Sequence, residues 1–210
     1  MTTLYFSPGS CSLVPHIALE ELGITFTAQR APRPGADGHA EYMKNINPTG
    51  AVPALVLDDN KIITQNVAIV DYLSGQKAGG NSVLPVQGSY ARSQALRWLC
   101  FANSDIHPKF GPLFGPSRFV SDEANHADLK ANCSKAIMDL FAMVDEQYQQ
   151  REWIAGEFSA ADVYLYVVMR WALMMKFPVE NLKAYRGMVD RIQTRDSVKR
   201  AMATQGIAAV

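Results

Sequence analysis

Apolar and polar positions along this chain follow two rhythms, and the change from one to the other comes once. In the first part, short apolar runs are broken by turn residues. Leu4, Tyr5 and Phe6 form a strand-like run that stops at Ser7, Pro8, Gly9 and Ser10. The next segment predicts a helix with Ser12 as N-cap, Pro15 in the first turn, where its missing N–H costs nothing, and Gly23 closing it. Ile24 to Gln29 reads as a second strand. A Pro- and Gly-rich loop from Ala31 to Gly38 leads to a short helical stretch ending at Asn47 and Pro48. Val52 to Leu57 reads as a third strand, Asp58 to Asn60 as a tight turn, Lys61 to Thr64 as its hairpin partner, and Val67 to Ser74 as a helix. This order predicts a mixed sheet of four strands, counted from these runs, with helices packed on it.

From Gly75 to Gly88 the composition turns to Gly, Ser, Gln, Asn and Pro, the signature of a linker. Beyond it the apolar spacing becomes helical. Leu129, Cys133, Ile137, Leu140, Phe141, Val144 and Tyr148 step by three or four along one helix face. Ser159 and Asp162 have capping-box spacing, with Phe158 and Val163 at the staple positions. Val163 to Met175 is apolar on nearly every side, interrupted by Arg170, which predicts a central helix. The expected division is an α/β domain over 1–77, a linker over 78–88 and an all-helical domain over 89–210. Gly206 and the small residues after it read as a loose tail.

Composition narrows the function classes. With 48% hydrophobic residues in 210, the chain can bury a substantial core. Twenty basic residues balance twenty acidic ones, so no electrostatic footprint points to nucleic acid or an anionic membrane. No signal-peptide pattern opens the chain and no apolar run reaches spanning length, so a cytoplasmic protein is expected. Cys11, Cys100 and Cys133 are odd in number and widely spaced, which suits neither a disulfide framework nor a zinc site. Reduced thiols and no bound metal are the expectation.

The candidate chemistry starts at Cys11, on the predicted strand-to-helix turn, where free amides and the helix dipole favour a thiolate. Read alone, it is either a nucleophile or a buried cysteine acting as a small apolar residue. With no second cysteine at C-x-x-C spacing, a disulfide mechanism needs an external thiol. Pro53 opens a strand either as a trans edge proline or as a cis proline that turns Val52 toward an extended peptide ligand. Gln65 and Asn66 stand before a helix, where Asn66 is a candidate cap and the free amides a candidate carboxylate site. His107 fits a structural or a catalytic histidine. His16, His39 and His126 have no sequence partners that suggest a site. Trp98, Phe101, Trp153 and Trp171 read first as core and second as pocket walls.

Taken together, these segments resemble the cytosolic glutathione transferases, specifically the bacterial beta class, over essentially the whole chain. The carrying motifs are Tyr5-Phe6-Ser7-Pro8-Gly9-Ser10-Cys11-Ser12-Leu13 with Pro15-His16, Asn47-Pro48-Thr49-Gly50-Ala51-Val52-Pro53, and Thr64 to Val70 with Tyr72-Leu73. Trp98-Leu99 with Phe101, Ser104 to His107, and Ser159-Ala160-Ala161-Asp162 before Tyr164-Leu165 match in the second part. The resemblance implies a thioredoxin-like N-terminal domain, an all-α C-terminal domain and a homodimer. It further implies that Cys11 faces the glutathione sulfur and can form a mixed disulfide with it. Pro53 is then cis, Val52 pairs with the tripeptide main chain, Gln65 and Asn66 hold the γ-glutamyl carboxylate, and Ser104 and His107 approach the sulfur.

Several positions depart from the beta-class pattern. Gln65 replaces an acidic residue and Asn66 a Ser or Gly; Cys100 stands for an asparagine, Pro108 for a lysine, and the loop lysine near Gly35 is missing. The expected activity is glutathione transfer to small electrophiles, a detoxification chemistry, or exchange with mixed disulfides, with glutathione as co-substrate. Phe110, Leu113, Phe114 and Trp171 are the expected pocket for the apolar partner. The alternative is a protein of the same fold that sequesters apolar ligands or contacts a protein partner without catalysis.

Overall fold

The computed structural model describes residues 1–76 and 82–210; residues 77–81, inside the predicted linker, lie outside the described residues. The chain divides into two compact units. The first combines Met1–Gln87 with Ile192–Ala209, and the second holds Gly88–Arg191.

In the first unit, β1 (Thr3–Phe6), α1 (Leu13–Leu22), β2 (Thr27–Arg30), α2 (His39–Asn45), β3 (Ala54–Val56), β4 (Ile62–Thr64) and α3 (Asn66–Ser74) follow in the predicted order. The sheet order is β2-β1-β3-β4, with β1 parallel to β2 and antiparallel to β3, and β3 antiparallel to β4. The period of two is visible in β1: Leu4 and Phe6 are buried while Thr3 and Tyr5 are partly exposed. The register sets Leu4 opposite Leu55, both fully buried. Leu13, Val14, Ile17, Ala18, Leu19 and Leu22 bury one broad face of α1, which packs against α3 and α9 (Asp196–Gln205). Gly23 closes α1 at φ 62°, a conformation that favours a residue without a Cβ.

Two expected caps are corrected. Ser12 is in helical conformation and its side chain makes no cap hydrogen bond; its hydroxyl is engaged by Ser7 and Ser10 instead. Asn66 is the first residue of α3 and is buried, and the cap position falls to Gln65, at φ 72°. The strand ends differ from the predicted ones: β1 begins one residue earlier, at Thr3, β2 is shifted to Thr27–Arg30, β3 is trimmed to Ala54–Val56 and β4 starts at Ile62.

The last segment was expected within the helical domain, yet Ile192–Ala209 groups with the first unit. Its attachment to α1 is partly polar: Arg195 pairs with Glu21, Ser197 Oγ donates to Glu21 at 2.5 Å, and Arg200 meets Glu20 at 2.6 Å. Gly206, read as the start of a loose tail, ends α9 at φ 66°.

The second unit contains α4 (Tyr90–Cys100), a π-helical turn (Phe101–Ile106), α5 (His107–Phe114), α6 (His126–Gln150), α7 (Ala160–Met174) and the start of α8 (Lys183–Gln193). Among its described residues there is no strand. Every residue of α7 from Ala160 to Ala172 is buried, as its apolar sequence predicts. The Ser159 and Asp162 capping box forms. Its carboxylate accepts from Ser159 N–H at 2.9 Å, Ser159 Oγ at 3.1 Å, Tyr148 OH at 2.9 Å and Ile154 N–H at 2.8 Å.

Candidate functional site

The thiol-bearing turn is built from its own serines. Ser10 N–H and Oγ both donate to the Ser7 carbonyl, at 3.1 and 2.8 Å, and Ser12 Oγ accepts from Ser7 N–H at 3.1 Å. The turn leaves Cys11 just ahead of α1, 8% exposed, with its Sγ 3.6 Å from the Val52 carbonyl oxygen. A more distant residue fixes the same turn. Gln205 on α9 accepts from Gly9 N–H at 3.0 Å and donates through its amide nitrogen to His16 Nδ1, also at 3.0 Å. Burial lowers the His16 pKa to about 4, against a smaller raising effect of Glu20, so the ring is neutral and its Nδ1 lone pair accepts.

Val52 stands before a cis Pro53, one of the two readings left open by the sequence. The preceding carbonyl, that of Ala51, accepts from Tyr42 OH at 2.7 Å and from Asn47 Nδ2 at 2.8 Å. Asn47 Oδ1 in turn accepts from the Thr49 amide and hydroxyl, at 3.2 and 2.9 Å. Burial, with Tyr5 nearby, pushes the Tyr42 hydroxyl up to about 12, so it remains a donor across the physiological range. These bonds hold the loop that carries Val52 against Cys11. Gln65 is exposed and Asn66 buried at the junction of β4 and α3.

In the second unit the π-helical turn carries Asn103 and Ser104 and ends at His107, whose backbone N–H reaches the Ala102 carbonyl. A π turn is a local widening of the helix common at functional sites. Here its cause is Pro108, which lacks an N–H and whose ring would clash with the Ser104 carbonyl in a regular helix. His107 Nδ1 is 2.7 Å from Tyr164 OH, and Tyr164 OH donates to Asn103 Oδ1 at 3.1 Å. Burial lowers the His107 pKa. Its ring lies edge-on to Trp171, centroids 4.8 Å apart, and Trp171 also contacts Phe110 at 5.3 Å and Phe114 at 5.4 Å. Phe110 is fully buried and Phe114 52% exposed, which makes an aromatic wall with one open edge. Leu113 is half-buried beside them on α5, and Ser104 is exposed.

The structure thus brings Cys11 to Val52, and Trp171 to His107, Phe110 and Phe114. Sequence reasoning missed Tyr42, Asn103, Tyr164 and Gln205. Gln205 lies 196 residues from Gly9, and Tyr164 lies 57 from His107; no local spacing could pair them. Cys11, Cys100 and Cys133 are not joined in a disulfide. Among the described residues no cluster of three His, Cys, Asp or Glu side chains could hold a metal, and no helix is long and apolar enough to cross a membrane.

A mixed four-stranded sheet with a thiol at the start of its first helix, followed by a helical unit, defines a thioredoxin-like domain joined to an all-α one. The glutathione S-transferase N-terminal domain family model matches residues 9–76, and the C-terminal domain model matches residues 103–193. Glutathione S-transferase GstA of Escherichia coli O157:H7 is 32% identical over 207 residues, covering 97% of this chain and 98% of its own. Among solved structures, a glutathione S-transferase from Xylella fastidiosa superposes with a TM-score of 0.90 at 33% identity, over 99% of this chain and 100% of its own. A bacterial beta-class enzyme of Sphingomonas chungbukensis gives 0.84 at 32% identity, over 98% of this chain and 100% of its own. A sphingomonad glutathione S-transferase complexed with glutathione gives 0.83 at 32%, with the same coverage. The chain belongs to the glutathione S-transferase family and is a bacterial-type glutathione transferase.

Proposed function

We propose that this transferase binds glutathione through the thiol turn and the Val52 segment, and that Cys11 exchanges directly with glutathionyl disulfides. The observation that carries this reading is the 3.6 Å approach of Cys11 Sγ to the Val52 carbonyl. It puts the buried Cys11 thiol beside the backbone segment that an extended tripeptide would pair with. In exchange, the Cys11 thiolate attacks the glutathionyl sulfur of a mixed disulfide. An S–S bond forms between Cys11 and glutathione while the other thiol leaves and takes a proton. A second glutathione thiolate then attacks the glutathionyl sulfur, releasing oxidised glutathione and restoring the Cys11 thiolate. In conjugation the glutathione thiolate attacks the electrophile instead, and His107, kept neutral by burial, accepts the thiol proton.

The roles that complete this reading are capture of the γ-glutamyl carboxylate at the start of α3 by Gln65 and Asn66, a polar contact from Ser104, and an apolar substrate against Phe110, Leu113, Phe114 and Trp171. The aromatic wall around Trp171 supports the last. A cytoplasmic homodimer fits cysteines that form no disulfide and the family.

Intact-mass analysis of the reduced protein after brief exposure to oxidised glutathione, followed by peptide mapping, tests the proposal. A single glutathionyl adduct on Cys11, absent from Cys11→Ala, is expected. No adduct, or equal labelling of Cys100 and Cys133, would overturn it and leave a protein of this fold that sequesters apolar ligands as the better account.

A further inference from the structure

We infer that Asn103 and Tyr164 are positioning residues that fix His107 as its Nδ1–H tautomer and so present Nε2 as the proton acceptor. A tyrosine hydroxyl has one hydrogen, and that of Tyr164 is directed at Asn103 Oδ1, 3.1 Å away. The 2.7 Å contact with His107 Nδ1 must then be closed by a hydrogen on the imidazole, with the Tyr164 oxygen accepting. Asn103 Nδ2 faces Ser104 Oγ at 3.4 Å, and its Oδ1 faces the tyrosine. A neutral imidazole protonated at Nδ1 carries its lone pair at Nε2.

The fold makes this geometry firm. Tyr164 is fully buried on α7, and Trp171, two turns further along the same helix, also packs edge-on against the imidazole. The π turn ending at His107 brings Asn103 and His107, four residues apart, to the same hydroxyl. A second group that holds the tautomer of a catalytic histidine is a recurrent requirement of proton transfer, because the wrong tautomer offers a donor where an acceptor is needed. The use of Nε2 in catalysis rests on the proposal that His107 meets the glutathione thiol; the tautomer itself does not.

The tautomer is read directly from long-range proton–nitrogen spectra of the uniformly ¹⁵N-labelled full chain, with the His107 signals assigned by their loss in His107→Ala. The wild type is expected to show a protonated Nδ1 and a bare Nε2. Tyr164→Phe and Asn103→Leu are expected to shift His107 toward the Nε2–H form, and Asn103→Asp, which keeps an acceptor, to retain the wild-type pattern. With glutathione and an activated aryl chloride, kcat/KM should fall about ten- to a hundredfold in Tyr164→Phe and Asn103→Leu, with Asn103→Asp restoring most of it. A bare Nδ1 in the wild type, or an unchanged tautomer in both Tyr164→Phe and Asn103→Leu, overturns the inference. A shifted tautomer with unchanged kcat/KM overturns its catalytic half. Failure of the underlying functional reading shows separately, as a His107→Ala variant with wild-type kcat/KM or a wild type that acquires no Cys11 adduct.

Discussion

Two fully buried titratable side chains, one in each unit, respond to pH in opposite senses. Burial raises the Asp162 carboxyl to about 6 although four donors to it pull the other way, and burial lowers His16 to about 4. For Asp162, the folded pKa lies above the ordinary 3.8, so its stability contribution is complete below that value and is lost as pH rises through about 6. For His16, the folded pKa lies below the ordinary 6.5, so its contribution is complete above 6.5 and is lost as pH falls through about 4. Each displacement corresponds to at most about 3 kcal/mol, and the two nearly cancel over the shared range. Denaturant unfolding followed across that range should therefore separate them by mutation. In Asp162→Asn stability should rise with pH, and in His16→Gln it should fall; a wild-type slope in both variants would refute the assignment. Asp162 should also lose about 1–3 kcal/mol at every pH, since an amide cannot accept from all four donors. At this scale the sequence was most legible where partners are close in the chain. Ser159 and Asp162 are three apart, and Cys11 marks itself by standing at a turn. It was silent on Tyr42, Tyr164 and Gln205, whose side chains act on backbone or rings brought near only by folding.

Among the elements, the order could be read because β1 alternates, the other strands show as short runs between turn residues, α6 shows a stripe and α7 is apolar nearly all round. Ends were less legible. Ser12 has the right chemistry for an N-cap, but the neighbouring Ser7 and Ser10 compete for its hydroxyl and win, in the way short polar side chains trade local partners. Pro108 was noticed only as a departure from the family pattern. Its structural effect is the π turn, which places Asn103 and His107 against one tyrosine hydroxyl. Pro108→Ala restores an N–H and removes the ring clash, so the turn becomes free to close in the regular α pattern. We expect little change in global stability, within about 1 kcal/mol by denaturant unfolding, together with a His107 tautomer signal displaced toward that of Tyr164→Phe. An unchanged signal would show that packing alone, without the proline, maintains the turn.

For the whole molecule, the change from turn-broken runs to helical spacing separated an α/β part from a helical one, but nothing in the last stretch told which part it joins. The buried residues of α9, Ser197, Val198, Ala201, Met202 and Gln205, form an ordinary amphipathic pattern that fits either. Only the contacts show that α1 is its partner. Removing residues 192–210 should therefore uncover the apolar face of α1 as well as the Gln205 bonds to Gly9 and His16. The expected outcome is loss of cooperative unfolding of the first unit and of Cys11 selectivity in glutathionylation. Retention of both would mean that α9 is dispensable to the thiol turn.

That return also sets an order of assembly. A ribosome delivers the chain from its N-terminal side, so the sheet and the thiol turn emerge before the helix that covers α1 and supplies Gln205. Cys11 is thus made well before α9, and its turn gains the Gln205 contact only once α9 has followed. Until α9 is made, the thiol turn lacks the Gln205 bond to Gly9 and α1 lacks its covering helix.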